Sequence, residues 1–145
     1  MRMSDKPLHV VVHTDGGAKG NPGPAGAGVV IRAGDDGQVL YEAGFFLGHA
    51  TNNQAEYRGL LKGLKAAADL GASRVDVLSD SELLIRQMTG EYRVKSANLA
   101  DLHRQARRLA DGFDKCTFRH VSREKNAHAD SLAGQAIRLR RNVRE

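Results

Sequence analysis

Four acidic residues of this 145-residue chain, Asp15, Glu56, Asp80 and Asp130, stand where acids are usually avoided. Asp15 follows an apolar run, Leu8–Thr14, and precedes a glycine-rich stretch, so its carboxylate is expected at a strand end where backbone can approach a ligand closely. Glu56 lies four residues before Leu60 and eight before Leu64, on the helical stripe that should be apolar. Asp80 ends a second apolar run, Val75–Ser79, and Asp130 borders the apolar stripe of the last helical segment. Each has an ordinary alternative: a turn aspartate, a first-turn glutamate favoured by the helix dipole, a helix N-cap and a solvated helix-edge acid. Together they place two acids at strand C-termini and two on helices beside those strands, where open α/β sheets carry their sites. Clustered carboxylates repel one another unless cations neutralise them. With one cysteine and no regular histidine spacing, an all-oxygen donor set suits Mg²⁺ or Mn²⁺ better than zinc. Two such ions about 4 Å apart activate a water and stabilise a leaving oxygen, which is the chemistry of metal-assisted phosphoryl transfer.

The elements that must position these acids are legible in the pattern. Leu8–Thr14, Gly26–Arg32 and Val39–Leu47 read as three strands, the last two joined by Gly34-Asp35-Asp36-Gly37, a hairpin signal. The turn formers of Gly16–Pro24 are dense enough to predict a tight connection with no regular element. Thr51-Asn52-Asn53-Gln54 has the capping-box form and opens a helix running to about Leu70, with Tyr57, Leu60, Leu61, Leu64 and Ala68 on its apolar face. Val75–Ser79 is a strand, Glu82–Met88 and Leu99–Ala110 are helices, Cys116–Val121 is the last strand and Lys125–Leu139 the last helix. The order β-β-β-α-β-α-α-β-α predicts an α/β fold with a mixed five-stranded sheet, antiparallel in its N-terminal three strands and parallel thereafter, with helices on both faces.

Length fits a single domain, read as residues 8–138 between an N-terminal extension at 1–7 and a basic tail at 139–145. Apolar content of 41% beside 27% charged residues excludes a disordered or fibrous chain. No apolar run approaches the length of a membrane span, and nothing at the N-terminus marks export, so the cytoplasm is the expected compartment. The lone Cys116 is expected to be a buried strand residue. No exposed apolar helix face demands a partner, so a monomer is expected. An excess of 22 basic over 17 acidic residues is compatible with an anionic partner such as nucleic acid. Gly16–Gly20 is no phosphate loop, because no Gly-Lys-Ser or Gly-Lys-Thr follows.

Thr14-Asp15-Gly16-Gly17, Gly20-Asn21-Pro22-Gly23-Pro24-Ala25-Gly26, Thr51-Asn52-Asn53-Gln54-Ala55-Glu56, Ser79-Asp80-Ser81 and Asn126-Ala127-His128-Ala129-Asp130 stand in sequence along the chain. In order and spacing they resemble the successive motifs of type 1 ribonuclease H, over about residues 8–138. The resemblance implies the ribonuclease H-like fold and hydrolysis of the RNA strand of an RNA/DNA hybrid, leaving 5′-phosphate and 3′-hydroxyl ends. It implies that Asp15 bridges two Mg²⁺ ions, that Asp130 helps hold the ion activating water, and that Glu56 and Asp80 help hold the other. It gives Gly16, Asn21, Asn52 and Gln54 contacts with the hybrid, and Thr51 with Asn52 a DNA-phosphate role; reading of the 2′-hydroxyl would select RNA.

The chain departs from the family pattern in three places. Where many relatives carry a mobile histidine in a long loop, this chain has only Ser122-Arg123-Glu124-Lys125; His120 and His128 are expected to be structural or surface residues, and Arg123 is the cation expected near the scissile phosphate. Met88–Asn98 is too short for the basic protrusion of some relatives, leaving Tyr92, Arg93 and Lys95 a smaller contact or a charged surface turn. Glu82 stands where relatives often present a neutral amide that contacts a 2′-hydroxyl, and the missing protrusion and altered loop resemble a subgroup that accepts other duplexes. The rival readings are a nuclease of the same fold acting on double-stranded RNA or DNA, and a catalytically silent hybrid-binding module.

Overall fold

The computed structural model describes residues 7–144. Five strands, β1 (Leu8–Ala18), β2 (Gly23–Ala33), β3 (Val39–Ala50), β4 (Ala72–Ser79) and β5 (Lys115–His120), form one sheet in the order β3-β2-β1-β4-β5. The β3-β2-β1 half is antiparallel, and β4 and β5 join parallel. The helices are α1 (Asn52–Asp69), α2 (Glu82–Met88), α3 (Ala97–Asp111) and α4 (Ala127–Leu139), the last preceded by a 3-10 turn at Arg123–Asn126. This is the expected ribonuclease H-like architecture. Among the described residues no helix is long and apolar enough to cross a membrane.

Strand alternation assigns the two faces of the sheet. Val10, Val12 and Thr14 of β1 are buried on the face covered by α1, whose Leu60, Leu64 and Ala67 are fully buried. His13 and Asp15 lie on the opposite face, which α4 covers through Ala129, Leu132, Ala133 and Ala136. The expected apolar stripe of α1 is right except at its end, where Ala68 is exposed and Ala67 takes the buried position.

The stretch expected to be irregular is largely strand. β1 continues through Gly16, Gly17 and Ala18, paired with Ala27, Gly26 and Ala25, so only Lys19–Pro22 forms the connection. Glycine lowers strand propensity, but here ladder hydrogen bonds on one side and helices packed on both faces override it. Asp15 therefore sits inside a strand, opposite Gly28. On its other side the ladder with β4 stops at His13–Leu78, so Asp15 lies just beyond the end of the parallel half.

The basic tail also joins the fold. Val143 exchanges two backbone hydrogen bonds with Gly44, Asn142 Oδ1 accepts from the Phe46 amide, and Arg144 reaches Glu42 at 3.0 Å, covering the outer edge of β3. An exposed strand edge invites pairing with another chain, and this segment blunts it. Cys116 is half-buried in β5, and burial pushes its thiol up to about 11. Of the expected N-terminal extension, residues 1–6 lie outside the described residues.

Candidate active site

Two close approaches bring the acids together. A Cβ at Gly16 would collide with the Ala55 carbonyl and the Glu56 amide, so the missing side chain lets the first turns of α1 sit against β1 and carry Glu56 to the strand end. A Cβ at Gly28, directly across from Asp15, would collide with the Ala129 backbone; its absence lets α4 approach and places Asp130 beside Asp15. Asp80 follows the last residue of β4 and is not the cap of α2: Ser81 is the N-cap, its hydroxyl accepting from the Leu84 amide at 3.2 Å. The capping alternative for Asp80 is thereby removed.

Asp15, Glu56 and Asp80 each offer a carboxylate oxygen within 4.8 Å of the others. Asp130 joins them on the wall of one cleft of about 630 Å³, with Gly16, Asn52 and Arg123 also lining it. Burial, followed by the neighbouring Asp130 and Asp80 carboxyls, pushes Asp15 up to about 8. Burial and the charges of Asp15 and Asp80 raise Glu56 well above the usual range, against the opposing pull of the Gly16 backbone N–H. Glu56 Oε1 is buried with no hydrogen-bond partner. Leaving a buried acceptor unsatisfied costs on the order of 1–3 kcal/mol, and cations within reach of these oxygens would remove that cost and the mutual repulsion together. The donor set, all carboxylate oxygen, fits a hard divalent cation.

A second polar group gathers at the start of α1; of Asn21, Thr51, Asn52 and Gln54 only Asn52 lines the cleft, and the other three lie outside its lining. Thr51 Oγ1 accepts from the Gln54 amide at 3.1 Å and Gln54 Oε1 from the Thr51 amide at 2.9 Å, completing the expected capping box. Asn52 Oδ1 accepts from the Ala18 amide at 2.7 Å, and Asn21 Oδ1 accepts from the Asn52 amide at 2.9 Å. All four side chains thus commit an oxygen acceptor to the scaffold. Their N–H and O–H donors remain for a ligand rich in acceptors.

The family model described as reverse transcriptase-like matches residues 13–136. A ribonuclease HI of Halobacterium salinarum is 41% identical over 133 residues, covering 92% of this chain and 66% of the relative. The crystal structure of ribonuclease H1 from that organism superposes with a TM-score of 0.87 at 42% identity, covering 90% of this chain and 98% of its own. The chain belongs to the type 1 ribonuclease H family. The bifunctional protein of Mycobacterium tuberculosis is 46% identical over 130 residues, and there the chain spans only 36% of the relative's length. LC11-RNase H1, solved in complex with an RNA/DNA hybrid, superposes with a TM-score of 0.85 at 40% identity, over 90% of this chain and 98% of that one.

Against this ribonuclease H frame, Arg123 opens the 3-10 turn before α4, exposed on the cleft wall and without an ion pair among the described residues. Of the two histidines read as structural or surface residues, both are exposed: His128 bonds Glu42 at 3.1 Å, while His120 lies 3.3 Å from the Asp80 carbonyl oxygen. Glu82 is exposed and paired with Arg86 at 2.8 Å, and Arg86 also bonds Glu91 and stacks over Tyr92. The region of Tyr92 is therefore a self-paired surface turn. One residue of the site escaped the sequence reading. Asn126, 1% exposed, donates to Asp80 Oδ1 at 2.9 Å and to the Thr14 carbonyl at 2.8 Å. Its signal was an amide at a position that faces the sheet, four residues before Asp130.

Proposed function

We propose that this chain is an endoribonuclease that hydrolyses the RNA strand of RNA/DNA hybrids, with Asp15, Glu56, Asp80 and Asp130 as its metal-binding carboxylates. The observation that carries the reading is the Glu56 oxygen with no partner among the described residues, in a convergent group of acids where burial disfavours the charges of Asp15 and Glu56. Two divalent cations held by those acids, Mg²⁺ or Mn²⁺, would make water a competent nucleophile at neutral pH and stabilise the leaving 3′ oxygen. Attack of water on phosphorus, with cleavage of the bond to that oxygen, leaves a 5′-phosphate and a 3′-hydroxyl.

Asp15, whose carboxyl neighbours both Asp80 and Asp130, would be shared between the cations, with Asp130 helping to hold the one that activates water and Glu56 with Asp80 the other. Arg123 supplies a fixed positive charge toward the scissile phosphate, in place of a loop histidine. The spare donors of Asn21, Thr51, Asn52 and Gln54 suit phosphate and hydroxyl oxygens, with Thr51 and Asn52 toward the DNA strand and the others reading the RNA 2′-hydroxyl. Gly16 lines the cleft and would meet the hybrid through its backbone. The protein acts as a monomer in the cytoplasm.

Incubating end-labelled RNA/DNA hybrid, double-stranded RNA and double-stranded DNA with Mg²⁺, Mn²⁺ or EDTA tests the proposal. Cutting of the RNA strand of the hybrid, stopped by EDTA, is expected. Hybrid bound but left intact would replace the enzyme with a silent binding module, and cut DNA would replace the substrate.

A further inference from the structure

His13 lies one strand period before Asp15 and therefore on the same face of β1, looking toward the turn that precedes α4. There its Nδ1 stands 3.2 Å from Asn126 Oδ1. The orientation of the Asn126 amide is fixed by its other partners. The Thr14 backbone carbonyl accepts only, so the amide nitrogen must face it, at 2.8 Å, and the same nitrogen donates to Asp80 Oδ1 at 2.9 Å. The amide oxygen then faces His13, which must carry its proton on Nδ1. The four groups form one directed chain, from the imidazole N–H to the amide oxygen and from the amide N–H groups to the strand and to Asp80 Oδ1.

We propose that His13 is a positioning residue that, acting through Asn126, fixes the orientation in which Asp80 is presented to the carboxylate group. The inference rests on the metal-binding reading of that group. An apolar side chain at position 13 would leave the Asn126 oxygen, buried and 1% exposed as a residue, without a donor. The amide would then turn or drift to recover one, and Asp80 Oδ1 would lose its partner. Groups that orient metal ligands in this way typically influence metal affinity by about 10–100-fold.

The test compares His13→Phe, which keeps a ring but removes the donor, with His13→Asn, whose amide nitrogen sits the same number of bonds from the backbone as the imidazole Nδ1. Mg²⁺ affinity is measured by titration calorimetry without nucleic acid. We expect His13→Phe to weaken binding by about 10-fold while His13→Asn stays within about twofold of the unsubstituted protein. In the unsubstituted protein, ¹⁵N NMR should find His13 as the Nδ1–H tautomer, a readout independent of metal, activity and the folding of any variant. An Nε2–H tautomer, Mg²⁺ binding that ignores His13→Phe, or equal weakening in both variants would overturn the positioning role alone. An unsubstituted protein that carries the Nδ1–H tautomer yet binds neither Mg²⁺ nor Mn²⁺ would overturn the metal reading, and this inference with it.

Discussion

The acids of the cleft and the polar side chains at the start of α1, which reach the cleft through Asn52, are two poles of opposite chemistry. At the strand ends, Asp15, Glu56 and Asp80 bring acceptor oxygens within 4.8 Å of one another, and one of them, Glu56 Oε1, is buried with no donor. At the start of α1, Asn21, Thr51, Asn52 and Gln54 each give an oxygen to a backbone amide and keep donors in reserve. The first pole is strained without a cation; the second is satisfied without any ligand. On the proposed function a polynucleotide would answer both, its phosphates accepting from the second and sharing cations with the first. The contrast teaches that the helix start can be rigid before substrate arrives, whereas buried Asp15 and Glu56 carry a cost of charge that a bound cation would relieve.

Breaking the acid pole gives the largest effect. Asp15→Asn should lower hybrid hydrolysis by at least about 1000-fold, since metal-assisted charge stabilisation is worth several kcal/mol. The same variant should be more stable than the unsubstituted protein in EDTA, and the sign follows from linkage. A carboxyl pushed up to about 8 binds a proton in the folded state that the unfolded chain has released above about pH 4, so stability falls as pH rises through that window. The gap in unfolding free energy between Asp15→Asn and the unsubstituted protein should widen from pH 5 to pH 8, reaching on the order of 2 kcal/mol. A gap independent of pH would mean that Asp15 is ionised in the metal-free fold.

Next in size is the approach that builds the same pole. Gly28→Ala places a Cβ against the Ala129 backbone, and overpacking of this kind typically costs about 1–3 kcal/mol. Because α4 must shift, Asp130 moves with it, so activity should fall further than the loss of stability accounts for. Urea unfolding beside hydrolysis rates at a temperature where the variant is folded separates the two. Full activity in a folded Gly28→Ala would show that Asp130 tolerates displacement.

What the sequence disclosed divides along physical lines. The capping box is a local device whose partners lie three residues apart, and it is present as read. The acids could be picked out because each violates a local expectation for a strand end or an apolar stripe. The strand character of Gly16–Ala18 was hidden, since it depends on pairing with Gly26 and Ala27 and on helices packed against both faces. The Asn126 contacts were hidden as well: the residue fell inside the expected helix from Lys125, and its bonds to Thr14 and Asp80 span 112 and 46 residues. The tail looked like a solvated basic run because its bridge to Gly44 uses backbone groups that no side-chain pattern reports.

The donor pole is tested by reversing its chemistry without disturbing its scaffold. Asn52→Asp keeps an oxygen to accept from the Ala18 amide but replaces the spare amide donors with a charge that repels phosphate. Stability should change little, and KM for the hybrid should rise by roughly 10-fold, the equivalent of one lost hydrogen bond to a charged group. An unchanged KM would assign Asn52 to the scaffold alone.

Thr51→Ala gives the smallest effect and sharpens the distinction between the poles. It removes the acceptor for the Gln54 amide, and loss of an N-cap of this kind costs about 1 kcal/mol. The cost belongs to folding, so it should appear as a lower urea midpoint with or without Mg²⁺. Thr51→Ser keeps both the acceptor and the hydroxyl donor and should restore stability and hybrid binding together. A third substitution separates them: Thr51→Asp can still accept from the Gln54 amide and cap the helix, but it has no donor to offer and carries a negative charge. If the satisfied pole is both scaffold and phosphate contact, Thr51→Asp should hold its urea midpoint while hybrid binding weakens. Binding that follows stability through all three variants would reduce Thr51 to a helix cap and leave the phosphate contact to Asn52.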